Sequence, residues 1–297
     1  MQIGRVSTAM ITPFLPDGSI HFEMVAKLIE HLIATGTDSV VVCGTTGESP
    51  TLTTQEKTDL IRFTVEAVNN RIPVIAGTGS NSTQDSIELT KMADEAGVDG
   101  IMLVTPYYNK PDQRGMYEHF KTIAGVTKLP VLLYNIPGRS VVNMLPETVE
   151  MLSRIPNIHA IKEAGGNLEQ MSDIIASTED DFDVYSGDDG LTLPLLSIGG
   201  AGVISVASHV VGEDMQRLIR AFEEGRHQDA ATIHHALLPL IRALFEKPNP
   251  VPVKYALGKL GLDAGSVRLP LVDMTDEEKE IFDQAWELYE QKRSNFK

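Results

Sequence analysis

Short runs of β-branched and apolar residues recur along the chain, and the segments between them show helical spacing of apolar residues. We count eight such runs, at residues 6–11, 39–42, 73–76, 100–105, 130–135, 158–162, 183–186 and 203–207. The helical spacing is clearest at residues 23–33, 55–68, 85–96 and 113–124. Alternating strands and helices predict a parallel sheet, because parallel neighbours need a crossover connection. Eight units favour a closed barrel over an open sheet, so the chain is predicted to be an α/β protein with a (β/α)8 TIM barrel.

Local signals mark several helix ends. Thr53 and Glu56 have the spacing of a capping box, in which each side chain bonds the other's backbone N–H. Gly36, Gly97 and Gly225 stand where helix C-caps should fall. These signals predict the helix boundaries between the strands.

The strand signal stops after the eighth unit. Residues 226–245, 253–260 and 275–293 have helical patterns, and the proline-rich stretch 248–252 between the first two predicts a rigid connector. We therefore predict a catalytic (β/α)8 barrel over residues 1–225. Residues 226–297 are predicted to form a C-terminal helical appendix packed on the barrel.

Charge and cysteine content exclude several classes of partner. The net charge is −16, which disfavours nucleic acid and anionic membranes. The single cysteine, Cys43, excludes an intramolecular disulfide and is predicted to be a core residue of the second strand. No apolar run approaches the roughly 18 residues that span a bilayer, and the first five residues lack a signal-peptide layout. We predict a soluble cytoplasmic protein with neither nucleic acid nor membrane partners.

Lys162 is the most informative single residue. In a TIM barrel, catalytic groups lie at the carboxyl ends of the strands, and Lys162 ends the sixth strand. Burial would lower the pKa of its ammonium and give a free amine able to attack a carbonyl carbon. An ion pair with Glu163 is the alternative, although adjacent strand residues point to opposite faces. Lys110, in a loop beyond its strand, is the nearest rival and is expected to be exposed.

Other polar residues follow the same strand ends. The turn at residues 44–48 offers the hydroxyls of Thr45 and Thr46 and several backbone N–H groups, which suit a carboxylate or phosphate; a plain tight turn is equally compatible. Tyr134 is a candidate proton relay or an interior aromatic residue. Arg139 is a candidate carboxylate ligand or a solvated surface residue. The eight histidines show neither HxH nor HExxH spacing, so we predict no metal and no cofactor.

Five sequence motifs together resemble one enzyme family. They lie at residues 8–14, 44–49, 134–139, 161–164 and 248–254. The chain is similar over essentially its whole length to the dihydrodipicolinate synthase family. That family belongs to the pyruvate-dependent Schiff-base lyases and aldolases, which include N-acetylneuraminate lyase. The resemblance implies condensation of pyruvate with L-aspartate 4-semialdehyde to 4-hydroxy-tetrahydrodipicolinate, the first committed step of the diaminopimelate branch of lysine biosynthesis.

Two other functions remain open on the residues alone. One is a pyruvate-dependent aldolase acting on a 2-keto-3-deoxy sugar acid, which the Arg139 loop and the motif at 248–254 make less favoured. The other is a non-catalytic barrel that binds a keto acid as a sensor. An intact lysine and hydroxyl set argues against the sensor, because a binding protein needs no nucleophile.

The resemblance implies roles for the residues of the active site. Lys162 would form the Schiff base with pyruvate, while Thr45, Tyr134 and Tyr108 would relay protons. Tyr108 would reach into a neighbouring subunit of a homotetramer built from two tight dimers.

Substrate binding is also implied by the resemblance. Thr46 would hold the pyruvate carboxylate, Arg139 would receive the carboxylate of the semialdehyde, and Gly187 and Ile204 would line the pocket.

The resemblance further implies an effector site. In lysine-inhibited members of the family, the effector binds at a subunit interface near the positions of Ser49, Asn81 and Tyr107. This chain has Lys57 where those members have a histidine. A cation there would repel the ammonium of the effector, so we predict weak or absent inhibition by L-lysine.

Overall fold

Eight parallel strands close into a barrel in which consecutive strands pair and the last strand pairs with the first. This computed structural model describes residues 3–294 and 296; the predicted barrel and tail also include Met1, Gln2, Asn295 and Lys297, which lie outside the described residues. The strands are β1 Val6–Ala9, β2 Ser39–Val42, β3 Val74–Gly77, β4 Gly100–Val104, β5 Val131–Asn135, β6 Ile158–Glu163, β7 Asp183–Ser186 and β8 Gly202–Ser205. The predicted TIM barrel is confirmed.

Helices follow the strands and continue into the tail. They are α1 Phe22–Ala34, α2 Thr54–Val68, α3 Thr83–Glu95, α4 Gln113–Ala124, α5 Pro137–Ser140, α6 Pro146–Ser153, α7 Leu168–Ser177, α8 Thr192–Ser197, α9 Ser208–Glu223, α10 His227–Phe245, α11 Val251–Lys259 and α12 Asp276–Arg293. The capping box of Thr53 and Glu56 forms as predicted. Gly36, Gly97 and Gly225 all have positive φ, as predicted for helix C-caps.

Several predicted boundaries were wrong for identifiable reasons. β8 ends at Ser205 because the N–H groups of Val206 and Ala207 donate to the Asp189 carboxylate at 3.0 and 3.1 Å, respectively. Cys43 is buried but follows β2, with a φ of 56° that is incompatible with a strand. The connector is shorter than predicted, because α11 begins at Val251 and its first turn accepts a proline without losing a hydrogen bond.

Two layers of apolar side chains lie on either side of the sheet. The barrel interior is filled by one residue or more from each of its strands, including Val41, Met102, Tyr134, Tyr185 and Ile204. The larger layer lies between the strands and the surrounding helices. This alternation directs the last interior residues of the strands toward the carboxyl end of the barrel.

The tail packs against this end and one side of the barrel. α10 contacts α9, α12 and the short 3-10 turn Asp189–Leu191 that follows β7. In the part of the chain that the structure describes, no helix is long and apolar enough to cross a membrane. Within that same part, no group of three or more His, Cys, Asp or Glu side chains could hold a metal ion.

Candidate active site

Lys162 lies at the end of β6 with its side chain inside the barrel. It is 5% exposed, and its ammonium nitrogen lies 4.4 Å from the centre of the Tyr134 ring on the neighbouring strand. Glu163 lies on the other face of β6, where it accepts hydrogen bonds from Asn135 at 2.9 Å and from the Gly165 N–H at 2.7 Å. The ion pair considered as an alternative for Lys162 is therefore not the arrangement in the structure. Lys110 is exposed, as expected.

Burial sets the protonation of Lys162. Loss of solvation lowers the pKa of its ammonium to about 8, and the charge of Arg139 acts in the same direction, while Asp189 opposes both. Asp189 is buried, with its carboxylate held by the Ser205 hydroxyl and by two backbone N–H groups. Burial thus gives Lys162 a larger neutral fraction near neutral pH than an exposed lysine has, and the neutral amine is the form that a nucleophile requires.

Tyr134 and Thr45 form a hydroxyl pair beside this lysine. Burial raises the pKa of Tyr134 to about 12, although the neighbouring Thr45 side chain counteracts part of the shift. Tyr134 therefore keeps its proton at neutral pH and can donate it. Both residues line a cavity of about 800 Å³ together with Lys162, Thr46 and Arg139.

Thr46 is held by a residue of the tail. The amide of Asn249, which precedes α11, donates to the Thr46 hydroxyl oxygen at 2.8 Å, and both side chains are buried. Within residues 3–294 and 296, Asn249 Oδ1 has no hydrogen-bond partner, and Asn249 lines the same cavity. Sequence reasoning quoted this asparagine as part of a motif but gave it no role.

Gly187 lines the cavity for a steric reason. A Cβ at this position would lie 2.6 Å from the Ala164 Cβ and 3.0 Å from the Lys162 Cε. Any residue larger than glycine would therefore force the Lys162 side chain to move. Ile204 is fully buried in the interior layer with Tyr134. Within the part of the chain that the structure describes, it does not line the cavity.

Tyr108 and the predicted effector region lie farther out. Tyr108 is 88% exposed and, within the described part of one chain, lies outside the lining of both cavities at this end of the barrel. Ser49, Tyr107 and Lys57 line a neighbouring cavity of about 600 Å³, which also reaches Thr45 and Arg139. Asn81 lies beside it, and its carbonyl accepts a hydrogen bond from the Asn109 amide.

Fold and site together define a class of protein: a (β/α)8-barrel enzyme with a buried lysine among hydroxyl groups at the carboxyl ends of its strands. The sequence model of the Dihydrodipicolinate synthetase family matches residues 2–287, and the chain belongs to this family, as its motifs predicted.

Relatives agree with this assignment over almost the whole chain. The 4-hydroxy-tetrahydrodipicolinate synthase of Bacillus velezensis is 61% identical, with 94% of this chain and 96% of the relative aligned. A crystal structure of dihydrodipicolinate synthase from Bacillus anthracis has a TM-score of 0.96 at 54% identity, covering 97% of this chain and 98% of the other. A lysine-bound synthase structure from Cyanidioschyzon merolae has a TM-score of 0.95 at 47% identity, with the same coverage.

Proposed function

We propose that the chain condenses pyruvate with L-aspartate 4-semialdehyde to give 4-hydroxy-tetrahydrodipicolinate. The observation that carries this proposal is Lys162, a buried amine with a pKa of about 8 that lies against Tyr134. The names of the relatives support the same reaction, and the family gives no support to the sugar-acid aldolase considered above.

Lys162 acts as the nucleophile in this mechanism. Its neutral amine attacks the carbonyl carbon of pyruvate, and loss of water gives an imine, which becomes an enamine when a proton leaves the methyl carbon. The enamine carbon then attacks the aldehyde carbon of the semialdehyde, whose oxygen becomes the hydroxyl of the product. The amino group of the semialdehyde finally attacks the imine carbon and expels Lys162, so that one water is lost overall.

The hydroxyl groups move protons and hold carboxylates. Tyr134 and Thr45 stand beside the amine and can pass protons to and from the pyruvate oxygen. The Thr46 oxygen accepts from Asn249, so its own O–H proton is directed elsewhere and can be donated to the pyruvate carboxylate. Arg139, exposed at the mouth of both cavities, receives the carboxylate of the semialdehyde.

The active unit is proposed to be a homotetramer of tight dimers in the cytoplasm. Tyr108 is 88% exposed and lies outside the lining of both cavities in the described part of its own chain, so it is placed to contact another subunit. Exposed aromatic residues of this kind are typical of subunit contacts. The hydroxyl of Tyr108 would complete the proton relay in the neighbouring subunit.

Feedback by L-lysine is proposed to be weak or absent. Lys57 lines the outer cavity and would repel the ammonium of the effector. Asp85 and Glu88 line the same cavity and offset part of this repulsion. Micromolar inhibition of steady-state turnover by L-lysine would contradict the proposal.

Turnover with alternative substrates tests the proposed reaction. Purified enzyme is given pyruvate with either L-aspartate 4-semialdehyde or an aldehyde that yields a 2-keto-3-deoxy sugar acid. We expect product only with the semialdehyde. Arg139→Leu should raise the KM for the semialdehyde while leaving the KM for pyruvate near the wild-type value. Faster turnover with the sugar aldehyde would refute the assignment.

A further inference from the structure

A buried ion pair joins the turn at residues 44–48 to the C-terminal tail. Glu48, two residues beyond Thr46, places its Oε1 2.8 Å from the Lys254 ammonium of α11, and the two side chains are 1% and 4% exposed. The other carboxylate oxygen of Glu48 accepts a hydrogen bond from the backbone N–H of Arg268 at 2.8 Å. Both partners of Glu48 thus come from residues more than 200 positions away.

The backbone carries this restraint into the site. The Glu48 N–H donates to the Thr45 carbonyl at 3.1 Å, closing the turn that contains Thr45 and Thr46. Glu48 has φ 54° and ψ 34°, a left-handed conformation that is unfavourable for a residue with a side chain. Such a conformation persists where surrounding contacts hold it, and here the Glu48 side chain is held by the ion pair with Lys254 and by the N–H of Arg268.

Lys254 is itself fixed on several sides. Its ammonium donates to the Ser266 carbonyl at 2.9 Å and lies 4.3 Å from the centre of the Phe14 ring. The guanidinium of Arg268 lies at the same distance from that ring. Burying a charged lysine is costly unless its partners are in place, so the position of Lys254 depends on Glu48 and on the Ser266 carbonyl.

We infer that Lys254 is a positioning residue for pyruvate, acting through Glu48 to fix the turn whose hydroxyl groups contact the substrate. This inference rests on the proposed function, in which Thr46 binds the pyruvate carboxylate and Thr45 serves the proton relay. Pyruvate binding depends on the turn, whereas the semialdehyde carboxylate depends on Arg139 in α5, which Lys254 does not restrain. Loss of Lys254 should therefore affect the two substrates unequally.

Steady-state kinetics of two variants test the inference. Lys254→Met leaves the Glu48 carboxylate buried without its cation and is expected to destabilise the fold, so the paired variant Glu48→Gln/Lys254→Met removes both charges together. In the paired variant we expect the KM for pyruvate to rise about tenfold or more, because small displacements of positioning groups have effects of this size. The KM for the semialdehyde should stay within about twofold, and Lys254→Arg, which keeps the cation, should recover part of the pyruvate affinity.

A matched control separates positioning from general stability. Lys259→Met removes a lysine of the same helix, one that pairs with Asp283 at 2.7 Å, away from the turn, and should leave both KM values unchanged. An unchanged pyruvate KM in the paired variant would overturn the inference, whatever its melting temperature. Wild-type enzyme is assayed alongside the variants. If the wild-type enzyme does not turn over the two substrates, the proposed function is refuted. If the wild-type enzyme is active and the paired variant has the same kinetics, only the role of Lys254 is refuted.

Discussion

At the scale of single residues, the reactivity of Lys162 depends on where its amine is buried. Its pKa of about 8 results first from lost solvation, and Asp189 prevents a larger shift. A charged lysine lacks the lone pair needed for attack, and the proton that leaves with water is proposed to come from the hydroxyl groups of Thr45 and Tyr134. Burial therefore promotes the reaction by raising the fraction of neutral amine at a given pH.

The pH dependence of kcat/KM for pyruvate follows from this pKa. The reactive amine is the deprotonated form, so kcat/KM should rise tenfold per pH unit below about 8 and level off above it. The measurement is initial rates at low pyruvate across this range. An inflection near 10.5, the ordinary value for lysine, would contradict the burial argument.

Gly187→Ala tests the space that Lys162 occupies. The added methyl group would lie 3.0 Å from the Lys162 Cε and force the side chain to move, so kcat/KM should fall about 100-fold. Gly258→Ala is the control, since a Cβ there meets nothing within 4 Å, and its activity should match wild type. Equal activity of the two variants would show that the lysine tolerates displacement.

At the scale of elements, strand and helix positions were predictable because each depends on local periodicity. The exact ends of the strands and helices were less predictable. β1 was predicted to reach residue 11 but ends at Ala9, and the Ile11 N–H donates instead to a ring nitrogen of His209 at 3.1 Å. β8 ends early through Asp189 in the same way. Partners this distant along the chain leave no signal in the local pattern.

The link between α2 and the tail predicts a pH effect on stability. The Arg268 guanidinium hydrogen-bonds to Glu56 and lowers the pKa of that carboxyl from 4.5 to about 2. Glu56 therefore stabilises the fold above pH 4.5, and this contribution is lost as the pH falls through that value toward 2. Glu56→Gln keeps the capping box but removes the charge, so it should cost about 1 kcal/mol at neutral pH and less in acid.

Unfolding midpoints of wild type and Glu56→Gln, compared at neutral and acid pH, check this expectation. Glu66→Gln, at an exposed position of the same helix, is the control and should show no pH-dependent difference. A constant difference between Glu56→Gln and wild type at all pH values would mean that the charge of Glu56 contributes nothing.

At the scale of the whole molecule, the site residues at the strand ends were predicted from the sequence. The residues of the C-terminal tail that contact the site were not. Lys162, Thr45, Thr46, Tyr134 and Arg139 could be found because the barrel rule selects strand ends. Asn249 and Lys254 lie more than 200 residues from their partners in the 44–49 turn, and only packing of the tail on the barrel brings them there. The barrel was predictable from periodicity and the reaction from the resemblance of the motifs to a known family, while the contacts that the tail makes with the turn at residues 44–49 were not predictable.

Assembly predicts complementation between subunits. We expect a species of four times the 32.4 kDa chain mass by sedimentation, and Tyr108→Phe should lower kcat about 100-fold. Mixed oligomers of Tyr108→Phe and Lys162→Ala chains should regain activity, because a hybrid dimer contains one site with both residues intact. Lys110→Ala, in the same exposed loop, serves as the control for the loop substitution. Absence of recovery in verified hybrids would place Tyr108 outside the neighbouring site.

Trapping the imine tests directly whether Lys162 is the nucleophile. Enzyme incubated with pyruvate is reduced with borohydride, digested and mapped by mass spectrometry. We expect one modified peptide, which contains Lys162 and is heavier by the mass of pyruvic acid less one oxygen atom, and no such peptide from Lys162→Ala. Absence of an adduct in active enzyme, or an adduct on another lysine such as Lys110, would contradict the assignment of Lys162 as the nucleophile.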